Sequence, residues 1–297
     1  MGIHLSISNF KMNKILLLTI SMILTLAGCF YLNSKPFSPK FEQEISETSF
    51  WVNKVHQTKK YKGLILGDSR GLRGINPDLI GKIPNLYNFS FRSSTLTIDY
   101  LSEALKLVGD DGVIIVALTP NSLVRVKNPN DHYKEYKYMS MDEVFIKKNK
   151  SLYRLFSPFR DRKFDLKSTP EFTKNFFENG FVATNTEIHS VNEGVEIYRK
   201  RFMETRIDLD LLRDFLKMAT QSKKKFIFFR MPSCIEMEKV ENEFSGFDND
   251  TVKGLVESAG FKWLDFNERF TFSTYDGSHL TPKAASLFSQ ILNESFF

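Results

Sequence analysis

The chain has almost no cysteine: Cys29 and Cys234 are the only two in 297 residues. That excludes a disulfide framework and a cysteine-rich zinc site, so the fold must be held by packing. Histidine is nearly as sparse, with five scattered positions and no His-x-x-x-His pair, which removes the usual helical metal site. No metal and no organic cofactor is implied. Concentrated charge is missing too. The net charge of +6 is spread along the chain, in short clusters such as Lys147-Lys148 and Lys223-Lys224-Lys225 that read as solvated helix ends. Nucleic-acid binding needs a basic stripe with aromatic or groove-entering elements, and none is present, so nucleic acid is not expected as a partner. Weak attraction to anionic lipid or polysaccharide is the more modest reading of the charge. What the chain does have is apolar material, 42% of residues with 14% aromatic, enough for a substantial core in one large α/β domain or two small ones.

That apolar material is unevenly placed. Lys11 and Lys14 precede a nearly unbroken apolar run from Ile15 to Leu32, the pattern of an export signal or a membrane anchor. Within it, Leu26-Ala27-Gly28-Cys29 resembles the bacterial lipobox, whose cysteine is diacylated and becomes the mature N-terminus. Two readings stay open: a lipoprotein held through Cys29, and an uncleaved single-pass anchor, since the run is just long enough to span a bilayer. Either makes the membrane a partner and puts the bulk of the chain outside the cytoplasm, on the periplasmic or cell-surface side. Residues 1–32 are therefore read as signal peptide or anchor. Residues 33–60, with Pro36, Pro39 and mixed charge, read as a tether with one short helix around Phe41 to Val55.

Residues 61–297 carry the folded pattern. Short apolar runs predict strands at Gly63 to Gly67, Leu86 to Ser90, Val113 to Leu118, Lys225 to Arg230 and Phe261 to Asp265. Between them, apolar residues at helical spacing predict helices at Thr97 to Val108, Asp208 to Gln221, Asp250 to Ala259 and Thr281 to Phe296. From about 122 to 205 the pattern degrades into an insertion rich in tyrosine and phenylalanine. It holds helices around Met141 to Lys148 and Val191 to Met203 but no strand of convincing strength. Its aromatics fit a satellite core better than a lid, because their spacing is irregular. Strands separated by helices imply a central, mostly parallel five-stranded sheet covered on both faces, a three-layer α/β/α sandwich with right-handed crossovers.

The first of these strands ends in Gly67-Asp68-Ser69, which delivers a serine to the sheet's C-terminal edge, where helix N-termini and strand ends supply backbone N–H groups. Far downstream, Tyr275-Asp276-Gly277-Ser278-His279 offers a carboxylate and an imidazole on one turn ahead of the last helix. Hydroxyl, imidazole and carboxylate are the parts of a triad. The two blocks, in this order and on these strand and turn contexts, resemble the SGNH (GDSL-like) hydrolase superfamily, and more narrowly its membrane-anchored extracytoplasmic members. The resemblance covers about residues 62–126 and 206–297 and implies a flavodoxin-like sheet.

Carried over residue by residue, the resemblance implies Ser69 as nucleophile, His279 as general base and Asp276 as the group orienting the imidazole. It also implies an oxyanion hole formed by the N–H of Ser69, the N–H of Ser93 and the side chain of Asn121. The family glycines before Asn121 are absent, and serine replaces glycine at Ser93, where the backbone donor survives provided φ is not positive. Arg70, Arg92 and Arg230 lie at or just past strand ends and are candidates for binding a substrate carboxylate or phosphate. The expected function is a serine-dependent O-acyl esterase or O-acyltransferase acting on acyl or acetyl esters, with an acylated cell-envelope glycan as the expected substrate. Two alternatives remain: a catalytically weak glycan-binding or assembly protein with envelope partners, and a lipase or thioesterase with a long apolar groove.

Overall fold

The computed structural model describes residues 4–34, 38–124, 131–161, 174–184, 190–266 and 271–296. The chain divides into two compact units, residues 1–49 with 141–170 and residues 50–140 with 171–297. The expected insertion thus contributes to both.

The first unit is helical. It holds His4–Ser34, the larger part of Pro39–Val55, Met141–Lys148 and Lys150–Asp161. Lys150–Asp161 packs against His4–Ser34, and Arg154 pairs with Glu42 at 2.8 Å. Along His4–Ser34 the large apolar side chains from Ile15 to Leu26 are exposed. Cys29 falls inside this helix, and its side chain lies outside the described residues. Among the described residues no helix is long and apolar enough to cross a membrane.

The second unit contains β1 (Tyr61–Gly67), β2 (Leu86–Asn88), β3 (Val108–Leu118), β4 (Lys174–Phe176), β5 (Val182–Thr184), β6 (Lys225–Arg230) and β7 (Lys262–Leu264). Five strands form one sheet in the order β2-β1-β3-β6-β7, with every pairing parallel. Strands alternate their side chains between faces. Ile65, Ile115, Ala117 and Phe229 pack under Ala285, Phe288 and Leu292 of helix Pro282–Ser295. On the opposite face, Phe226 and Phe228 meet Phe215 of helix Leu209–Gln221 edge to face. Helices on both sides of a parallel sheet make the three-layer α/β/α sandwich.

Two details depart from the sequence reading. β3 begins earlier than Val113: Val108 pairs with Tyr61, pairing resumes at Val113 with Gly63, and the intervening residues bulge. Residues Asp110 to Gly112, which lie between the predicted helix and the predicted strand, are absorbed into that irregularity. The insertion also contains an antiparallel hairpin, β4 with β5. Neither three-residue strand of this hairpin stands out as an apolar run from the aromatic-rich segment around it, which is why the sequence concealed them.

The strand order places β1 and β3 side by side, with the chain continuing outward to β2 from one and to β6 from the other. The crevice beyond their carboxyl ends is the topological switch point, where open α/β sheets bind ligands.

The last turns of helix Pro39–Val55, read as part of a tether, are built into this unit: Trp51, Val52 and Lys54 are buried. Lys54 donates to the Gly180 carbonyl at 2.8 Å, and its ammonium lies 5.2–5.9 Å from the ring centres of Phe50, Trp51, Tyr87 and Phe91. No carboxylate pairs with it among the described residues. Burial therefore drives its pKa well below the ordinary lysine value. Between the lowered folded pKa and the unfolded value of about 10.4, the unfolded chain binds a proton that the folded chain does not. Stability is then expected to rise with pH across that window, by up to about 1.4 kcal/mol per unit. Denaturant melts at a series of pH values check this. Lys54→Met, which keeps the apolar stem and removes the titration, should abolish the rise.

Candidate active site

The end of β1 turns directly into a short helix, Ser69–Gly74, where the sequence suggested only a turn. Asp68 caps it. One carboxylate oxygen accepts the Arg70 N–H at 2.9 Å, and the other accepts the Thr119 hydroxyl at 2.5 Å, tying the ends of β1 and β3 together. Gly71 lets the helix lie close to β3: a Cβ there would meet Ser90 Oγ at 3.0 Å and the Ala117 Cβ at 3.2 Å. Ser69, half-buried, is the first residue of this helix. The loop after β2 closes the other flank, since the Phe91 N–H donates to the Gly67 carbonyl at 3.1 Å.

The second turn is a tight reversal, with Thr274 bridging Leu280 and the Tyr275 N–H donating to the His279 carbonyl at 3.1 Å. Gly277 at its tip has φ +79°, a conformation that favours glycine. Asp276 is buried and uses both oxygens. Oδ1 accepts the backbone N–H groups of Ser278 at 2.9 Å and His279 at 2.7 Å, while Oδ2 lies 2.7 Å from His279 Nδ1. His279 Nε2 in turn lies 2.8 Å from Ser69 Oγ. The carboxylate holds the proton on Nδ1 and leaves Nε2 to accept the serine proton.

Electrostatics favour that protonation state. Burial is the largest influence on His279 and lowers its pKa; Asp276 opposes it, and the guanidiniums of Arg73 and Arg70 add to the lowering. His279 is therefore neutral at pH 7. Burial alone would raise the Asp276 carboxyl, but His279 and the two backbone N–H groups outweigh it and hold the group well below the usual carboxylate range.

The structure thus joins Ser69, His279 and Asp276 in one hydrogen-bonded chain. The predicted donors around Ser69 fall differently. Ser93 has φ +56°, which corrects the expectation that its donor needs a negative φ: the serine itself takes the left-handed conformation a glycine would take, at a cost of about 1 kcal/mol, and keeps its N–H. Its N–H and that of Ser69 have no acceptor among the described residues. Asn121 lies in a short 3₁₀ turn, Pro120–Leu123, whose path is fixed by a capping box between Thr119 and Ser122 rather than by glycines. Its side chain is buried and makes no hydrogen bond among the described residues, with Oδ1 an orphan.

Two of the three arginines read as substrate contacts are corrected. Arg70 and Arg230 are buried, and both guanidiniums pair with Glu241, which is itself fully buried. Arg70 also donates to Ser278 Oγ at 2.7 Å, clasping the acid–imidazole turn from the helix that carries Ser69. Both strand ends lie under other chain, so the desolvated cations need a carboxylate more than a ligand. Arg92 alone is exposed, and no carboxylate pairs with it among the described residues. Cys234 caps helix Ile235–Val240, and burial pushes its thiol pKa up, as for a packed rather than reactive group.

Sequence reasoning missed Arg73, Tyr275 and Glu241. Arg73 donates to the Tyr275 hydroxyl, and the Tyr275 ring stacks on His279, with centroids 5.5 Å apart and planes 8° from parallel. The spacing from Ser69 to Arg73, one helical turn, would have been the signal had the short helix been recognised. Nothing marked Glu241, which is far from both blocks in sequence. Among the described residues no group of His, Cys, Asp and Glu is arranged to hold a metal ion.

No protein-family model matches the chain, and no curated protein matches it. A solved chain from Streptococcus pneumonia, provisionally described as a platelet activating factor, is similar at 12% identity with a TM-score of 0.41, over 93% of this chain and 99% of its own length.

Proposed function

We propose that this protein is a serine-dependent O-acyl esterase or O-acyltransferase of the SGNH type. The observation that carries this reading is the chain from Ser69 Oγ through His279 to Asp276, at 2.8 and 2.7 Å. Ser69 Oγ attacks the ester carbonyl carbon as its proton passes to His279 Nε2. The resulting oxyanion is received by the unspent N–H groups of Ser69 and Ser93 and by the Asn121 amide. Collapse breaks the bond to the alcohol, which leaves with the proton from His279. Water or a sugar hydroxyl, deprotonated by the same imidazole, then attacks the acyl carbon, and Ser69 Oγ leaves with that proton from His279, restoring the free enzyme.

An acyl or acetyl ester of a cell-envelope glycan is the proposed substrate, and the outer side of a bacterial membrane the proposed location. The apolar run from Ile15 to Leu32 and its exposed leucines and isoleucines support the location. Arg92, exposed and without a carboxylate, is the proposed contact for an anionic group on such a polymer.

Labelling the full chain with a fluorophosphonate tests the mechanism, because the reaction demands both an activated hydroxyl and a working oxyanion pocket. One adduct on Ser69 is expected. Its rate should rise with pH through a midpoint below about 6.5, the ordinary imidazole value, since only neutral His279 accepts the proton. Absence of labelling, together with no turnover of p-nitrophenyl acetate, would replace the enzyme with the binding or assembly role.

A further inference from the structure

Helix Val191–Glu204 belongs to the segment outside the two blocks that carry the family resemblance, yet it reaches the acid–imidazole turn. Its contact point is a glycine. A Cβ on Gly194 would stand 2.0 Å from the Asp276 carbonyl oxygen, 2.8 Å from its carbonyl carbon and 3.1 Å from its Cβ. Glycine weakens a helix interior relative to alanine, so nothing in the helix itself calls for it. The adjacent Val195 lies over the tip of the same turn, its Cγ2 3.0 Å from where a Gly277 Cβ would be.

The helix is not a loose cover. A capping box between Ser190 and Glu193 fixes its start, and Val195 and Phe202 are buried in a satellite core with Met237 and Val240. The turn is held through its backbone as well, by the Cys234 N–H donating to the Gly277 carbonyl at 2.9 Å. We infer that Gly194 is a positioning residue: its bare backbone sets the depth at which the Asp276 turn seats, and so the register of the carboxylate on His279. This rests on the triad reading above, and it gives the 191–204 helix a task in that site.

A triad tolerates only about 0.5 Å of error in its parts. Gly194→Ala must displace the Asp276 main chain, since a carbonyl cannot swing aside as a long side chain would. Two readouts test this, the rate of acyl transfer and the titration of His279 followed by imidazole Cε1 resonances and assigned with His279→Gln. Of the charges acting on His279, Asp276 raises its pKa, and Arg73 and Arg70 lower it. Gly194→Ala should therefore lower the His279 midpoint by about one pH unit. The kcat for p-nitrophenyl acetate should drop about 10²-fold with KM little changed.

Gly254→Ala is the control, because a Cβ there meets nothing within 4 Å; it should move neither readout. Should Gly194→Ala fail to fold, Val195→Ala, which frees the turn tip, is expected to shift the midpoint in the same direction. An unchanged His279 midpoint in the folded variant overturns the inference. The titration needs no turnover, so an inactive wild type would remove the enzyme reading while leaving this result readable.

Discussion

Alanine in place of Ser69 is expected to cut kcat for p-nitrophenyl acetate, and acetate release from an acetylated glycan, by about 10⁴–10⁶-fold. Ser69 is half-buried and its hydroxyl makes one side-chain hydrogen bond among the described residues, to His279 Nε2, so its removal should change stability by no more than about 1.5 kcal/mol. Loss of rate with a preserved melting profile is the signature sought. Asp276→Asn should cost about 10⁴-fold by a different route: the amide would present a donor to Nδ1, favour the wrong tautomer and leave Nε2 protonated. The two losses should not add, because the three groups act as a unit. Equal turnover by wild type and Ser69→Ala would place the ester chemistry elsewhere. Comparing substrates of increasing acyl length separates an acetyl esterase from a lipase, which would need a long apolar groove.

Glu241 is where the largest loss of stability is expected. It is fully buried between Arg70 and Arg230, with Oε2 accepting from Arg230 at 2.8 Å and Oε1 from Arg70. Burial alone would lower the Arg70 pKa, but Glu241, Tyr198 and Asp68 outweigh it, so the guanidinium stays charged. Glu241→Ala leaves two cations out of water with one fewer anion, a situation that costs about 3–5 kcal/mol. The melting temperature should fall by on the order of 10 °C. Arg230 keeps Asn242 at 2.9 Å and a more distant Glu238, whereas Arg70 keeps Ser278 Oγ and the Tyr198 ring, 5.7 Å from its guanidinium, and no directly paired carboxylate among the described residues. The disturbance should therefore travel through Arg70 to the acid–imidazole turn, and kcat should fall in whatever fraction remains folded. Glu241→Gln, which keeps the shape and loses the charge, should lie between wild type and alanine in both measurements.

The five strands of the sheet and its parallel, doubly covered form were readable from the chain alone, because short continuous apolar runs such as Ile114 to Leu118 and Phe226 to Phe229, set between amphipathic helices, fit strands covered on both faces; the order of the strands was not. Ser69, Asp276 and His279 were readable for a related reason: local turn chemistry fixes each block, and Asp276 and His279 are neighbours on one turn. The fate of the arginines was not. Whether a cation at a strand end meets solvent, a ligand or a buried carboxylate depends on which distant segment packs over it, and Glu241 reaches Arg70 from 171 positions away. The same holds for Gly194 against Asp276 and for Lys54 among its four rings. Periodicity and turn propensity are properties of neighbouring residues, so sequence determined the elements and the paired turns. Desolvation and close approach belong to surfaces that exist only once the elements are packed, and those the tertiary structure alone decided.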